Sequence, residues 1–192
     1  MENQKNYLYK LCKIIYSTLL KILYRPQAIG IENIPSDGAL IFAGNHKNAI
    51  DPTVVMTFAD RTVHYMAKAE LFKGLHGMIF KKIGLIKVYR DKSNPKAILE
   101  AEEILKNGGS IGIFPEGTRN KTENELLRFR HGAVRIAKKT KTKIVPFAIK
   151  GTYRLFRKGL IIEFGKPIDI SKMEIEEANN YLRNEVLNLL RK

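Results

Sequence analysis

Between residues 7 and 24 the segment YLYKLCKIIYSTLLKILY sets Lys10, Lys13, Ser17 and Lys21 on one stripe, at three- and four-residue intervals. Leu11, Ile15, Leu19, Ile22 and the tyrosines fall on a broad apolar face. This is the period of an amphipathic helix. A charge in its middle interrupts the run of about 20 apolar residues that a spanning helix needs, and no small-residue cleavage site follows. Two placements suit such a helix: in a membrane interface with its lysines toward anionic headgroups, or packed on the core of the domain that follows.

From residue 27 the pattern changes. Short β-rich runs at 27–32, 39–45, 62–67, 85–89, 110–115, 143–149 and 160–165 alternate with helical periods at 52–60, 70–82, 95–107 and 131–140, as in α/β layered domains. Pro52 and Pro95 sit where a first helical turn tolerates proline, and Gly108 suits a stop after Lys106 and Asn107. A last helix over 172–191 opens with Ser171 and Glu174 in capping-box spacing and carries Ile175, Ala178, Leu182, Val186 and Leu189 on one face. The expectation is an N-terminal amphipathic helix in residues 1–26 and one α/β domain over 27–192, with a mixed, roughly seven-stranded sheet flanked by helices.

Charge narrows the partners. The chain has 34 basic and 19 acidic side chains, a net charge of +15, so an anionic partner is expected: nucleic acid, an anionic bilayer or a phosphorylated small substrate. With the single cysteine Cys12 the chain forms neither an internal disulfide framework nor a cysteine-based zinc site, and a reducing, cytoplasmic setting follows.

Two blocks carry candidate chemistry. In AGNHKNAIDP (43–52), His46 lies just past a strand and Asp51 immediately before a helix-starting proline. In open α/β sheets ligands gather at such strand ends. A histidine serves as a general base near neutral pH, and a carboxylate on its other ring nitrogen fixes its tautomer. Asp51 is also placed to cap the following helix, one oxygen taking helix N–H groups while the other holds the imidazole. No serine or cysteine nucleophile adjoins His46 in sequence, which favours direct attack by a substrate hydroxyl over an acyl-enzyme.

In IGIFPEGTRNK (111–121) an apolar strand runs into a turn exposing Glu116, Thr118 and Arg119. This reads either as an ordinary polar turn or as an anion cradle, with the Arg119 fork, the Thr118 hydroxyl and the Gly117 N–H as donors. Lys68 and Glu70, Arg90, and Arg130 with Gly132 follow other strand ends, so that basic groups converge on one electropositive pocket or belong to a solvated surface. His64, His76 and His131 have no carboxylate in motif spacing, and metal- or nucleotide-binding patterns are absent.

Taken in order and spacing, NHKNAIDP, AKAELF, GLIKVYR, FPEGTR, FRHGA and VPFAIKG resemble the 1-acylglycerol-3-phosphate acyltransferase family over about residues 28–168. The resemblance implies His46 as general base oriented by Asp51, Glu116, Gly117, Thr118 and Arg119 binding the acceptor, and Lys68 and Arg90 holding its phosphate. Pro146 falls in the family's last motif, which shapes the acyl or acceptor pocket. Asn48 stands where the family often has serine or threonine, and Tyr89 where an acid often precedes the arginine; relatives with the same base act on other lysolipids or on glycerol phosphate. The implied co-substrate is acyl-CoA or acyl carrier protein, with no cofactor and no metal. The implied setting is the cytoplasmic face of a membrane, peripheral or monotopic. Family members often carry a two-helix docking motif; with one short segment ahead of the domain, shallower docking is expected. A nucleic-acid-binding module and a catalytically silent lipid-binding protein are the rival readings; the basic residues are spread along the chain without a nucleic-acid-binding signature.

Overall fold

The computed structural model describes residues 2–89 and 94–192, the side chains of residues 2–6 excepted. Its helices are α1 (Glu2–Tyr24), α2 (Asp51–Phe58), α3 (Gly74–Lys82), α4 (Pro95–Lys106), α5 (Gly132–Thr140) and α6 (Ile175–Arg191). Its strands are β1 (Gln27–Ile29), β2 (Leu40–Gly44), β3 (Val63–Lys68), β4 (Ile86–Val88), β5 (Ser110–Ile113), β6 (Lys143–Gly151) and β7 (Leu160–Phe164). They form one seven-stranded sheet in the order β1-β7-β6-β2-β5-β3-β4. The sheet is mixed, as expected: only the β6–β7 pairing is antiparallel.

β2 lies between β5 and β6 and all five of its residues are buried. A strand covered on both faces reads as a continuous apolar run, as LIFAG does. One core, around Ile41, Ile111, Phe129, Ile144 and Leu182, fills the face under α4, α5 and α6. The other, around Phe42, Val54, Val145, Phe147 and Leu20, fills the face under α1 and α2. Burying each such side chain contributes about 1.5–3 kcal/mol, so the strand ends rest on a rigid frame. At Gly44 a Cβ would fall 2.3 Å from the Phe147 carbonyl oxygen; glycine there lets β2 and β6 close together just before His46.

Several boundaries differ from the pattern. The first strand stops at Ile29, because Gly30 turns left-handed (φ 74°) into a 3-10 turn over Ile31–Asn33. The helix expected at 70–82 is split into a 3-10 turn, Ala69–Phe72, and α3 by an extended Lys73. The last helix starts at Ile175, capped by Glu174 with Glu177 rather than by Ser171 with Glu174; the Ser171 N–H is instead taken by Asp169. Asp51 is not an N-cap. It is the first residue of α2, behind Ile50, and makes no capping bond.

The amphipathic segment forms α1, but the stripe that faces the domain is not the apolar one. Tyr9, Ser17 and Leu20 are buried. Lys13 donates to the Ala59 carbonyl at 2.6 Å, Tyr9 accepts the Val63 N–H, and Thr57 donates to Ser17. Leu11, Ile14, Ile15, Leu19 and Ile22 point outward, each about half exposed or more. No helix among the described residues is long and apolar enough to cross a membrane.

Candidate active site

Strands β2, β3, β4, β5 and β6 run parallel, so their carboxyl ends lie along one edge of the sheet. At that edge lie the motif loops Asn45–Ile50 after β2 and Phe114–Asn120 after β5, with Lys68 at the end of β3 and Thr152–Tyr153 after β6. This is the edge at which open α/β sheets bind ligands.

Asn45 fastens the loop to the sheet. Its buried amide donates to the Ile149 carbonyl at 3.0 Å and accepts the Ile149 N–H at 2.7 Å, continuing the β2–β6 pairing by side chain. Next to it, His46 Nδ1 lies 2.8 Å from Asp51 Oδ2. The same oxygen accepts the N–H groups of Lys47 (2.6 Å) and Asn48 (2.8 Å), and Oδ1 accepts the Tyr153 hydroxyl. Asp51 is fully buried, and such a carboxylate is tolerated only when donors satisfy it. Its backbone partners can only donate, so Asp51 acts as an acceptor toward Nδ1 as well, which puts the ring proton on Nδ1. Nε2 has no hydrogen-bond partner among the described residues. The imidazole is stacked on Phe114 (centroids 4.1 Å apart, planes at 17°), and Phe114 in turn on Tyr65. A ring held by one nitrogen and one face, with its other nitrogen unengaged, is suited to accept a proton from a hydroxyl.

Tyr153 is the residue the sequence did not single out. It lies 102 positions from Asp51 in the chain, and no motif spacing links them; they meet because β6 lies beside β2. Burial, and then the Asp51 charge and hydrogen bond, raise its hydroxyl well above the usual tyrosine range, so it remains a donor.

The second block is tied to the same histidine. The His46 N–H donates to Glu116 Oε1 (2.7 Å), and the Asn120 N–H donates to the His46 carbonyl (2.7 Å). Glu116 Oε2 accepts the Leu127 N–H. Burial pushes the Glu116 carboxyl above its usual range, an effect opposed by these two N–H bonds and by His46. Glu116, expected to bind the acceptor lipid, is buried and accepts one backbone N–H at each oxygen from the loops it joins. Gly117 is left-handed (φ 69°), and a Cβ there would lie 2.7 Å from Arg130 Nε. Glycine thus lets the Arg130 side chain cross the turn. Thr118 is half-buried and Arg119 exposed beside it, which puts a hydroxyl and two guanidinium groups on the loop fastened to His46. These groups can hold a phosphate.

Of the other expected residues, Lys68 and Pro146 are among those described. Lys68 closes β3, exposed, and its side chain makes no hydrogen bond or ion pair among the described residues. Pro146 is buried within β6, opposite Ala43 and against Gly165; its missing N–H is tolerated because the ladder with β7 begins only at Phe147. Arg90 lies outside the described residues. No cluster of metal-ligating side chains is present among the described residues.

Residues 25–150 match the family model described as Acyltransferase. The chain is similar to a 1-acyl-sn-glycerol-3-phosphate acyltransferase of Bacillus subtilis, 34% identical over 167 residues, which span 84% of this chain and 82% of that one. It is also similar to one of Borreliella burgdorferi, at 32% identity over 84% of this chain and 70% of that one. Among solved structures, the crystal structure of PlsC, the 1-acyl-sn-glycerophosphate (LPA) acyltransferase of Thermotoga maritima, superposes with a TM-score of 0.79 at 26% identity. That match covers 98% of this chain and 80% of the other.

Proposed function

The chain belongs to the acyltransferase family, and from that membership we propose that it moves a fatty acyl group from acyl-CoA or acyl carrier protein to the sn-2 hydroxyl of 1-acyl-sn-glycerol-3-phosphate, giving phosphatidate. The observation that carries this reading is the His46–Asp51 pair, with Nδ1 bonded and Nε2 unengaged at the ligand-binding edge of the sheet; the names of the relatives supply the acceptor.

In this mechanism His46 Nε2 takes the proton of the acceptor hydroxyl as its oxygen attacks the thioester carbonyl. The imidazolium that forms is stabilised by Asp51, whose position is fixed by Tyr153 and the loop N–H groups. The tetrahedral oxyanion collapses, the C–S bond breaks, and the imidazolium proton passes to the departing thiolate. No acyl-enzyme forms and no cofactor takes part. Arg119, Thr118 and Arg130 hold the acceptor phosphate, with Lys68 and Arg90 as further cations, while Glu116 sets the spacing between this loop and His46.

The acceptor is a membrane lipid. The outward apolar face of α1 lies in the interface, on the cytoplasmic side, and the positive charge of the protein draws it to anionic lipid.

The test is acyl transfer by the purified protein, with each donor in turn, to 1-acyl-sn-glycerol-3-phosphate in anionic vesicles. Phosphatidate is the expected product. Product from another lysolipid or glycerol phosphate, and none from this acceptor, would overturn the acceptor while leaving the base chemistry standing.

A further inference from the structure

The chain between β6 and β7, residues 152–159, does more than connect two antiparallel strands. Its tip reads Arg154-Leu155-Phe156-Arg157-Lys158, and all five residues are exposed. Leu155 is 56% and Phe156 60% accessible, so two large apolar side chains stand in water between three cations. Phe156 is held in the left-handed region (φ 58°), a conformation that bulky residues rarely adopt and that persists only where the surroundings impose it, often at functional sites. The surroundings here are α1. The Phe156 N–H donates to the Leu23 carbonyl, and the Tyr24 ring meets the Tyr153 ring edge to face at 5.5 Å.

We infer that this loop is a second lipid-contacting element, entering the interfacial region of an anionic bilayer together with α1. The loop meets α1 at Leu23, which adjoins Ile22, the last residue of the outward apolar row. Apolar side chains flanked by Arg and Lys suit the boundary between acyl chains and anionic headgroups. The consequence for the site is geometric. Tyr153, one residue before the tip, donates to Asp51, and Lys47, the neighbour of His46, donates to the Gly151 carbonyl at the loop's start. A loop seated in the interface therefore sets the His46–Asp51 pair at the membrane surface, beside a lipid acceptor. The inference rests on the membrane-docking reading of α1 but not on any acyl transfer.

The chain contains no tryptophan, so Leu155→Trp creates a single reporter at the tip. The full-length variant is titrated with vesicles of phosphatidylglycerol and phosphatidylcholine, and binding is followed in parallel by sedimentation. The expected result is a blue shift of emission on binding and quenching by lipids brominated near the headgroup end of the acyl chain. Tyr181→Trp on α6, on the other face of the sheet, is expected to show neither. Arg157→Gln with Lys158→Gln is expected to weaken binding to the anionic vesicles by roughly fivefold per residue removed. A tryptophan at 155 that keeps its aqueous emission while the protein sediments with vesicles overturns the inference, as does the absence of vesicle binding. A shift caused by an acidic carrier protein alone, and not by vesicles, overturns it in favour of a protein partner. Because no readout involves turnover, failure here and failure of the proposed reaction are distinguishable.

Discussion

The His46 loop and α1 solve opposite problems. In the loop, a fully buried carboxylate is surrounded by donors: two backbone N–H groups, an imidazole and a tyrosine hydroxyl all converge on Asp51. In α1, a row of large apolar side chains is left in water, while Lys13 and Ser17 are turned inward to bond with the domain. Polar groups buried with their partners fix a geometry; apolar groups left outside await a partner that water cannot be. The first region is complete in the isolated protein, whereas the second is the face we propose for a lipid surface.

Breaking the polar region has the largest expected effect. Asp51→Asn keeps the size of the side chain, but both carboxylate oxygens accept hydrogen bonds, so in either orientation its amide NH2 must face a donor. We expect turnover to fall about 1000-fold, through loss of the histidine's orientation and of the charge that stabilises the imidazolium; steady-state kinetics with a saturating donor measures it. If the loss is under tenfold, Asp51 is a structural carboxylate only.

Breaking the apolar region acts on location instead. Ile15→Ser with Leu19→Ser is expected to weaken vesicle binding by about tenfold per side chain. Turnover of a short-chain acceptor dissolved as monomers should hold within about twofold. Equal losses in both assays would mean that the outward face of α1 supports the fold rather than the membrane.

Tyr153→Phe sharpens the comparison, because Tyr153 touches both regions: its hydroxyl is on Asp51 and its ring is against Tyr24 of α1. Removing the hydroxyl keeps the ring contact. A decrease in kcat of about threefold to tenfold is expected with KM unchanged, the size of one typical net hydrogen bond, since Asp51 keeps its other donors. Combined with Asp51→Asn the losses should fall short of their product, because both act on the same carboxylate.

The smallest effect concerns Glu116. Burial raises its carboxyl pKa, so the folded state holds that proton more tightly than the unfolded chain does. Stability should therefore fall as pH rises from the ordinary carboxylate value through the raised one, with no further change above it. Glu116→Gln removes this slope but leaves one backbone N–H facing an amide NH2, at a cost of about 1–3 kcal/mol. Denaturant midpoints across that pH range read both; a slope that survives the substitution belongs to other groups.

Much of the fold was legible because strands such as Leu40–Gly44 and Lys143–Gly151 are nearly unbroken apolar runs, and a parallel sheet needs both faces buried. The His46–Asp51 pair was legible because its members are five residues apart, across one strand-to-helix turn. Tyr153 was not: its contact depends on β6 lying beside β2, a matter of strand order on which local patterning is silent. The facing of α1 was hidden for a related reason. Periodicity separates the lysine stripe from the apolar stripe, but which of them meets the domain depends on the carbonyl of Ala59 and the hydroxyl of Thr57 on its surface. Glu116 shows a third limit, since an acid in a Pro-Gly turn looks solvent-facing until a neighbouring loop supplies N–H groups to bury it.

The most direct test of the central claim compares wild type and His46→Ala for acyl transfer to 1-acyl-sn-glycerol-3-phosphate in anionic vesicles, with vesicle binding and thermal unfolding measured on the same preparations. The account predicts phosphatidate from wild type and a loss of about 100-fold or more in the variant, with binding and folding retained. Turnover by the folded variant within about tenfold of wild type would contradict it, because the proton would then be leaving the acceptor hydroxyl by a route that does not pass through His46.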